Sequence, residues 1–169
     1  MYQRELEALI GHTEIEDITP ATKAETKKLL KDAKGASDGR VRLIRINADN
    51  YPDTKTGEKL EIRGPEDGRP VIVDTLSGMP HLKVTSGTAI IRPRSVWGNS
   101  VDAGAGAEAV LVAPSDAKVT TECDEGGKVT FVCPNSKNRF RPHGRGEILL
   151  SSGTDTDRIP YVAPVYEPF

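Results

Sequence analysis

Aromatic residues and cysteines are scarce in this sequence of 169 residues. Phe, Trp and Tyr make up 5% of the chain, and only Cys123 and Cys133 carry thiols. Scarce aromatics predict a thin, aliphatic core and argue against a sugar-binding cleft, which relies on stacked rings. Two cysteines exclude a disulfide scaffold and, without further ligands nearby, a structural zinc site, which requires four.

Neither sign of charge dominates, and long apolar runs are lacking. The 23 basic and 25 acidic residues give a net charge of -2, so no overall field recruits nucleic acid or an anionic membrane. No run approaches the roughly 18 apolar residues of a membrane-spanning helix, and Met1–Glu5 is too polar for a signal peptide. We expect no membrane partner and no secretion by signal peptide. We expect the protein in the virion if the chain is viral and otherwise in the cytoplasm.

Histidines are few, which limits the catalytic sites that the chain can form. Any Ser-His-Asp or Cys-His site must use His12, His81 or His143, and none of these lies in a known catalytic motif. No nucleophile elbow and no phosphate-binding glycine loop occurs. Acidic residues near Asp53 and Asp155 lack the spacing of a calcium loop. We therefore predict no enzyme, no cofactor and no metal, with a hydrolase of unrecognised type as a third hypothesis.

Two helices are predicted in residues 1–39. The first has an apolar stripe at helical spacing, formed by Tyr2, Leu6, Leu9 and Ile10. The second has Thr19 as N-cap, Pro20 at its first position and Gly35 after its last turn. These residues predict a helical N-terminal extension.

The pattern changes from helical to extended after residue 39. Nine segments have the composition of short strands: Arg40–Asn47, Lys59–Arg63, Pro70–Asp74, His81–Thr85, Thr88–Arg92, Glu108–Ala113, Lys118–Cys123, Lys128–Cys133 and Gly146–Ser151. Gly and Pro separate them, no long helix intervenes to allow parallel crossovers, and we find no repeat of fixed period. We predict a mainly β fold over residues 40–158, an antiparallel barrel or sandwich of about nine short strands.

The two cysteines flank a loop that is typical of a hairpin. The segments Val119–Cys123 and Val129–Cys133 alternate in polarity on either side of a loop that contains two glycines. Pairing across that loop places the sulfurs near opposite ends of the hairpin, roughly 13 Å apart. Both thiols are therefore expected to be free.

Basic residues occupy alternate positions along Ser136–Gly146, and this segment contains no acidic residue. This basic ridge consists of Lys137, Arg139, Arg141, His143 and Arg145, with Phe140 between them. Alternate residues of an extended segment share one side, so the cations fit either phosphates or an acidic protein surface. Pro142 and the neighbouring glycines also agree with a solvated loop that binds nothing. We predict Lys137, Arg139, Phe140, Arg141 and Arg145 as partner-binding residues.

The C-terminal segment, residues 159–169, combines prolines with aromatic and β-branched residues. Three prolines at spacings of four rule out a helix and a regular sheet ladder. Disordered tails are usually poor in aromatic residues, so we predict an extended arm that packs on a neighbour. Its partner-binding residues would be Tyr161, Val165, Tyr166 and Phe169.

A small β-domain with a segment at each end resembles in kind the virion accessory proteins of tailed bacteriophages. Those include capsid decoration or cement, head-closure and tail-connector subunits. We expect a non-enzymatic structural subunit that locks onto protein neighbours of a homo- or hetero-oligomeric assembly through its termini. The alternative is a small β-barrel module that binds nucleic acid through residues 137–145, which the net charge and the scarce aromatics disfavour.

Overall fold

The computed structural model describes residues 15–32, 40–53, 58–65, 69–76, 81–93, 99–112, 118–132, 139–151 and 158–160. These residues form one helix, α1 (Lys23–Leu30), and thirteen strands. The strands are β1 (Ile15–Ile18), β2 (Val41–Ile46), β3 (Leu60–Arg63), β4 (Pro70–Thr75), β5 (His81–Ser86), β6 (Thr88–Pro93), β7 (Asn99–Ala103), β8 (Glu108–Val112), β9 (Lys118–Cys123), β10 (Lys128–Val132), β11 (Arg139–Gly144), β12 (Glu147–Ser151) and β13 (Arg158–Pro160).

The strands form two sheets between which the chain alternates from β2 to β12. Sheet A has the order β1-β2-β4-β6-β8-β10-β12-β13, and sheet B has the order β11-β9-β7-β5-β3. Every pairing is parallel except that of β12 with β13. Each turn of the chain adds one strand to each sheet, so the fold is a parallel β-solenoid.

The predicted antiparallel barrel or sandwich, and with it any β-barrel module, is wrong. The prediction assumed that parallel neighbours need a helical crossover, whereas here a strand of the opposite sheet makes each crossover. The described segments around Gly87, Gly106 and Gly126 connect strands of opposite sheets and are not hairpins. Instead of pairing with each other, β9 pairs with β7 and β11, and β10 pairs with β8 and β12.

The register of sheet A reveals a repeat that the sequence analysis missed. Ala89, Ala109, Val129 and Ile148 occupy equivalent positions on successive strands, which is a period of about 20 residues. The small and large apolar side chains at these positions differ enough in size to hide the repeat in a single sequence.

The hydrophobic core lies between the two sheets. Ile91, Leu111 and Phe131 of sheet A are buried there with Val84 and Val119 of sheet B. Phe131 is the only aromatic side chain that is fully buried among the described residues. The predicted aliphatic core is therefore confirmed for the described part of the chain.

The N-terminal end of the solenoid is closed by α1. Its buried residues, Thr26 and Leu30, lie over the core, and the helix contacts β3, the edge strand of sheet B. The N-cap is Thr22, whose hydroxyl accepts a hydrogen bond from the Glu25 amide at 3.1 Å. The predicted cap at Thr19 is wrong, because the helix begins one turn later.

Over residues 15–32, the predicted second helix is confirmed in shortened form as α1. It is preceded by β1, which no predicted strand covers and which pairs in parallel with β2 at the edge of sheet A. The predicted first helix lies outside the described residues. No helix in the described ranges is long and apolar enough to span a membrane.

Candidate interaction site

The basic ridge falls on the last strand of sheet B. Arg139, Arg141 and His143 alternate along β11, in register with Lys118, Thr120 and Glu122 of β9. The intervening β9 residues include Val119 and Cys123, which are buried in the core. His143 is exposed, and Arg139 and Arg141 precede it at alternate positions of one strand, so the backbone there has the extended conformation that the sequence predicts.

Arg145 lies in the turn that joins β11 to β12. It is exposed and follows Gly144, whose φ of 93° is a conformation that favours glycine. Arg145 lines a groove of about 450 Å³ that crosses four successive corners of the solenoid. The lining residues are Gly87, Thr88, Gly106, Ala107, Glu108, Gly126, Gly127, Lys128, Arg145, Gly146 and Glu147.

Charges of both signs line this groove. Lys128 lies between Glu108 and Glu147 on neighbouring strands, and its Nζ is 3.9 Å from Glu108 Oε2. Opposite charges at adjacent strand positions stabilise the sheet modestly. The groove therefore lacks the uniformly basic lining that a phosphate backbone requires.

Of the remaining predicted partner-binding residues, only Phe140 lies in the described part of the chain. Phe140 is in register with Val119 of β9. Lys137 lies outside the described residues, as do Tyr161, Val165, Tyr166 and Phe169. The roles of these residues stay predictions.

At the C-terminal end of the solenoid, sheet B terminates in an edge strand, β11. In the described part of the chain, β11 pairs with β9 only, and an edge strand presents backbone groups that can pair with another chain. Ile148 of β12 packs against the core as a partly buried residue, as do Leu29 and Tyr51.

Cys123, the last residue of β9, is a free and buried thiol. The predicted absence of a disulfide therefore holds for this residue. Its Sγ donates to the Glu147 carbonyl oxygen at 3.6 Å. Burial, followed by the nearby charges of Asp124 and Glu147, raises the pKa of the thiol to about 11. A thiol with that pKa is not a nucleophile at neutral pH. Cys133 lies outside the described residues.

The buried carboxylates are held in ion pairs. Asp74 accepts hydrogen bonds from Arg92 Nε at 2.6 Å and from Arg92 Nη2 at 2.7 Å, and Arg45 lies at 3.5 Å. Asp102 pairs with Lys59 and accepts a hydrogen bond from the Glu122 amide at 2.9 Å. Full pairing is typical of structural carboxylates rather than of catalytic acids.

The histidines are dispersed over the part of the chain that the structure describes. His81 begins β5, where its amide donates to the Tyr51 hydroxyl at 3.1 Å, and His143 is on β11. His12 lies outside the described residues. No group of three or more His, Cys, Asp or Glu side chains among the described residues is arranged to hold a metal ion.

No protein-family model, curated protein or solved structure matches the chain. Function is therefore inferred from the geometry of the solenoid alone. The groove and the edge strand could not be predicted from the sequence, because both depend on how the strands stack. The glycines at positions 87, 106, 126 and 144 were the available signal for the stacked corners.

Proposed function

We propose that the protein is a non-enzymatic structural subunit that docks on a neighbouring protein through the C-terminal end of its solenoid. The observation that carries this proposal is the difference between the two ends. At the N-terminal end, β1 extends sheet A and α1 covers the core beside β3. At the C-terminal end, β11 pairs with β9 only and no described helix covers it.

The chemistry of β11 favours a partner of opposite charge. If two copies paired through β11 about a two-fold axis, their arginines at 139 and 141 would lie close together, and facing like charges destabilise a sheet. Basic residues on an edge strand commonly prevent such self-pairing. An acidic extended segment of a different protein satisfies both the edge amides and the cations, so we infer a hetero-oligomeric contact.

The predicted arm would act at the same end. β13 pairs with Leu149–Ser151 of β12, and the rest of the predicted arm follows β13 in the sequence. The ridge and the arm are thus two contacts for one neighbour. The narrower assignment to a bacteriophage virion, as a decoration, head-closure or tail-connector subunit, is supported only by the likeness in kind of a small β-domain with terminal segments.

Nucleic acid is a less favourable partner for the ridge. Glu122 is in register with His143, and Glu147 lies beside Arg145 in the groove. These acids interrupt the basic surface that would follow a phosphate backbone. Protein docking is therefore the better-supported function.

A pair of charge-reversal variants tests the proposal in cells that contain the natural neighbours. We expect Arg139→Glu/Arg141→Glu to lower the fraction of the protein found in high-mass complexes by about tenfold, because two favourable charge contacts become repulsive. The matched control is Lys27→Glu/Lys28→Glu, which reverses two exposed cations on α1 at the opposite end. Size-exclusion chromatography of the lysates gives the fraction.

Equal incorporation of both variants would contradict docking through the ridge. Loss of incorporation in the control variant alone would place the contact at the N-terminal end. Thermal unfolding of the purified variants checks that neither change disrupts the solenoid. If Arg139→Glu/Arg141→Glu still enters the high-mass complexes but no longer binds a single-stranded oligonucleotide, the nucleic-acid alternative is favoured.

A further inference from the structure

His143 is the member of the basic ridge whose charge can change near neutral pH. It is exposed and lies on β11, two positions after Arg141. Arginine stays protonated in proteins, whereas an imidazole ordinarily gains or loses its proton between about pH 5 and about pH 8. The positive charge of the ridge therefore depends on the protonation of His143.

A carboxylate lies beside His143 on the neighbouring strand. Glu122 of β9 is in register with His143, and both residues are exposed. Charged side chains at opposite positions of paired strands influence each other. While the imidazole is uncharged, the Glu122 carboxylate repels an acidic segment that approaches β11. Protonation of the imidazole offsets this negative charge.

The other charged groups around His143 are of types that keep their charge over this pH range. Among the described residues, β11 pairs with β9 only, and a short corner joins β11 to β12. The groups at these places are Arg141 and Arg145 on either side of His143 in the chain, Lys118 of β9, Asp124 after β9, and Glu147 at the start of β12. Arginine, lysine and carboxylate side chains ordinarily titrate outside the range from about pH 5 to about pH 8. The imidazole is therefore the group that can make this end of sheet B respond to pH.

We propose that His143 makes docking through the ridge stronger at mildly acidic pH than at neutral pH. This inference rests on the proposed function, because the partner is the acidic extended segment inferred for β11. Protonation adds a cation to the ridge and offsets the charge of Glu122, and both changes favour an anionic partner. Binding and protonation are linked, so an acidic partner in turn favours the protonated imidazole.

Binding of an acidic peptide to the full chain tests this proposal. The probe is a fluorescent, N-acetylated poly-aspartate of about ten residues, which stays ionised at both about pH 5.5 and about pH 7.5. We expect its dissociation constant, measured by fluorescence anisotropy, to be about threefold to fivefold lower at the lower pH. That factor is the upper part of the range for one exposed pair of charges.

Three single substitutions assign the effect to His143. His143→Gln should bind the peptide with the weaker affinity at both pH values, because its side chain is always neutral. His143→Lys should bind with the tighter affinity at both, because its side chain stays charged. The matched control is His81→Gln, which removes another exposed histidine of sheet B, at the start of β5, and should keep the pH dependence of the parent chain.

The outcomes separate this inference from the docking proposal on which it rests. If the parent chain binds equally at both pH values and Arg139→Glu/Arg141→Glu still weakens binding, the role of His143 is overturned and docking through the ridge stands. PH dependence that persists in His143→Gln, or that disappears in His81→Gln, would also overturn the role of His143. A parent chain that binds the peptide at neither pH would contradict docking of an acidic segment itself.

Discussion

Asp74 shows how single residues hold the strands of sheet A together. Its carboxylate has a side-chain exposure of 8% and lies between Arg45 of β2 and Arg92 of β6. Arg45 also contacts Asp17 of β1. Four charges of alternating sign thus connect four adjacent strands, and Asp74 is the buried member on which both arginines depend.

Replacing Asp74 by Asn should lower the free energy of unfolding by about 2–4 kcal/mol, because the partly buried Arg92 loses its counter-charge and Arg45 keeps only Asp17. Asp17→Asn is the matched control. Its carboxylate is 49% exposed, so we expect a loss of less than about 1 kcal/mol. Urea unfolding measures both values, and equal losses would show that burial does not set the strength of these pairs.

The Cys123 thiol should make stability dependent on alkaline pH. Its pKa is raised from the ordinary 9.0 to about 11, chiefly by burial. Because the folded pKa exceeds the unfolded one, the stabilisation is complete below about pH 9 and is lost as pH rises toward about 11. A shift of this size corresponds to about 2–3 kcal/mol.

Cys123→Ala provides the comparison, since it removes the titrating group while other residues titrate as before. The loss of unfolding free energy between about pH 8 and about pH 11 should be larger in the parent protein by about 2–3 kcal/mol. Urea unfolding at the two pH values gives the difference. A parallel decline of the two proteins would mean that the thiol is readily ionised in the folded state.

At the scale of elements, the corners decide how the strands stack. Gly64 and Gly87 meet at one corner, where a Cβ on Gly87 would lie 2.7 Å from the Gly64 carbonyl carbon. Gly87 also has a φ of 65°. Two constraints, the close approach and the backbone conformation, therefore act at the same position.

Gly87→Ala and Gly106→Ala separate these two constraints. Gly106 has a φ of 78° but no atom within 4 Å of an added Cβ, so we expect Gly106→Ala to cost about 1 kcal/mol from backbone strain alone. Gly87→Ala should cost about 3 kcal/mol or more, because backbone at the corner must also move. Thermal unfolding with calorimetry measures both; equal losses would contradict the close packing of the corner.

The strands were easier to predict than their partners. The predicted Lys118–Cys123 is β9, and the predicted Pro70–Asp74 is β4 less its last residue. Alternating apolar residues are a local signal, whereas Gly126 and Gly127 suit a hairpin and a solenoid corner equally well. The pairing of β9 with β7 and β11 depends on residues about 20 positions away, which a local pattern does not contain.

Some elements were missed because their sequences resemble loops. Asn99–Ala103 is β7, although its small and polar residues lie in none of the nine predicted strands. Neighbouring strands on both sides impose the extended conformation there. The ridge positions on β11 were predicted as alternating, but their place at an edge follows only from the order of sheet B.

The whole molecule is a solenoid with two unlike ends. One end is closed by α1 and β1, and the other carries β11, the turn at Arg145 and β13. A helix over one end of a solenoid opposes head-to-tail growth at that end, whereas among the described residues β11 at the other end has a partner on one side only. This polarity is the basis of the proposed docking function.

Amine-to-carboxyl cross-linking of the native assembly, read by mass spectrometry, tests this polarity most directly. Lysines occur at both ends, with Lys23, Lys27 and Lys28 on α1 and Lys118 and Lys128 on β9 and β10. We predict that links to acidic residues of another protein concentrate at Lys118, Lys128 and Lys137. Intermolecular links confined to the lysines of α1 would contradict docking through the C-terminal end.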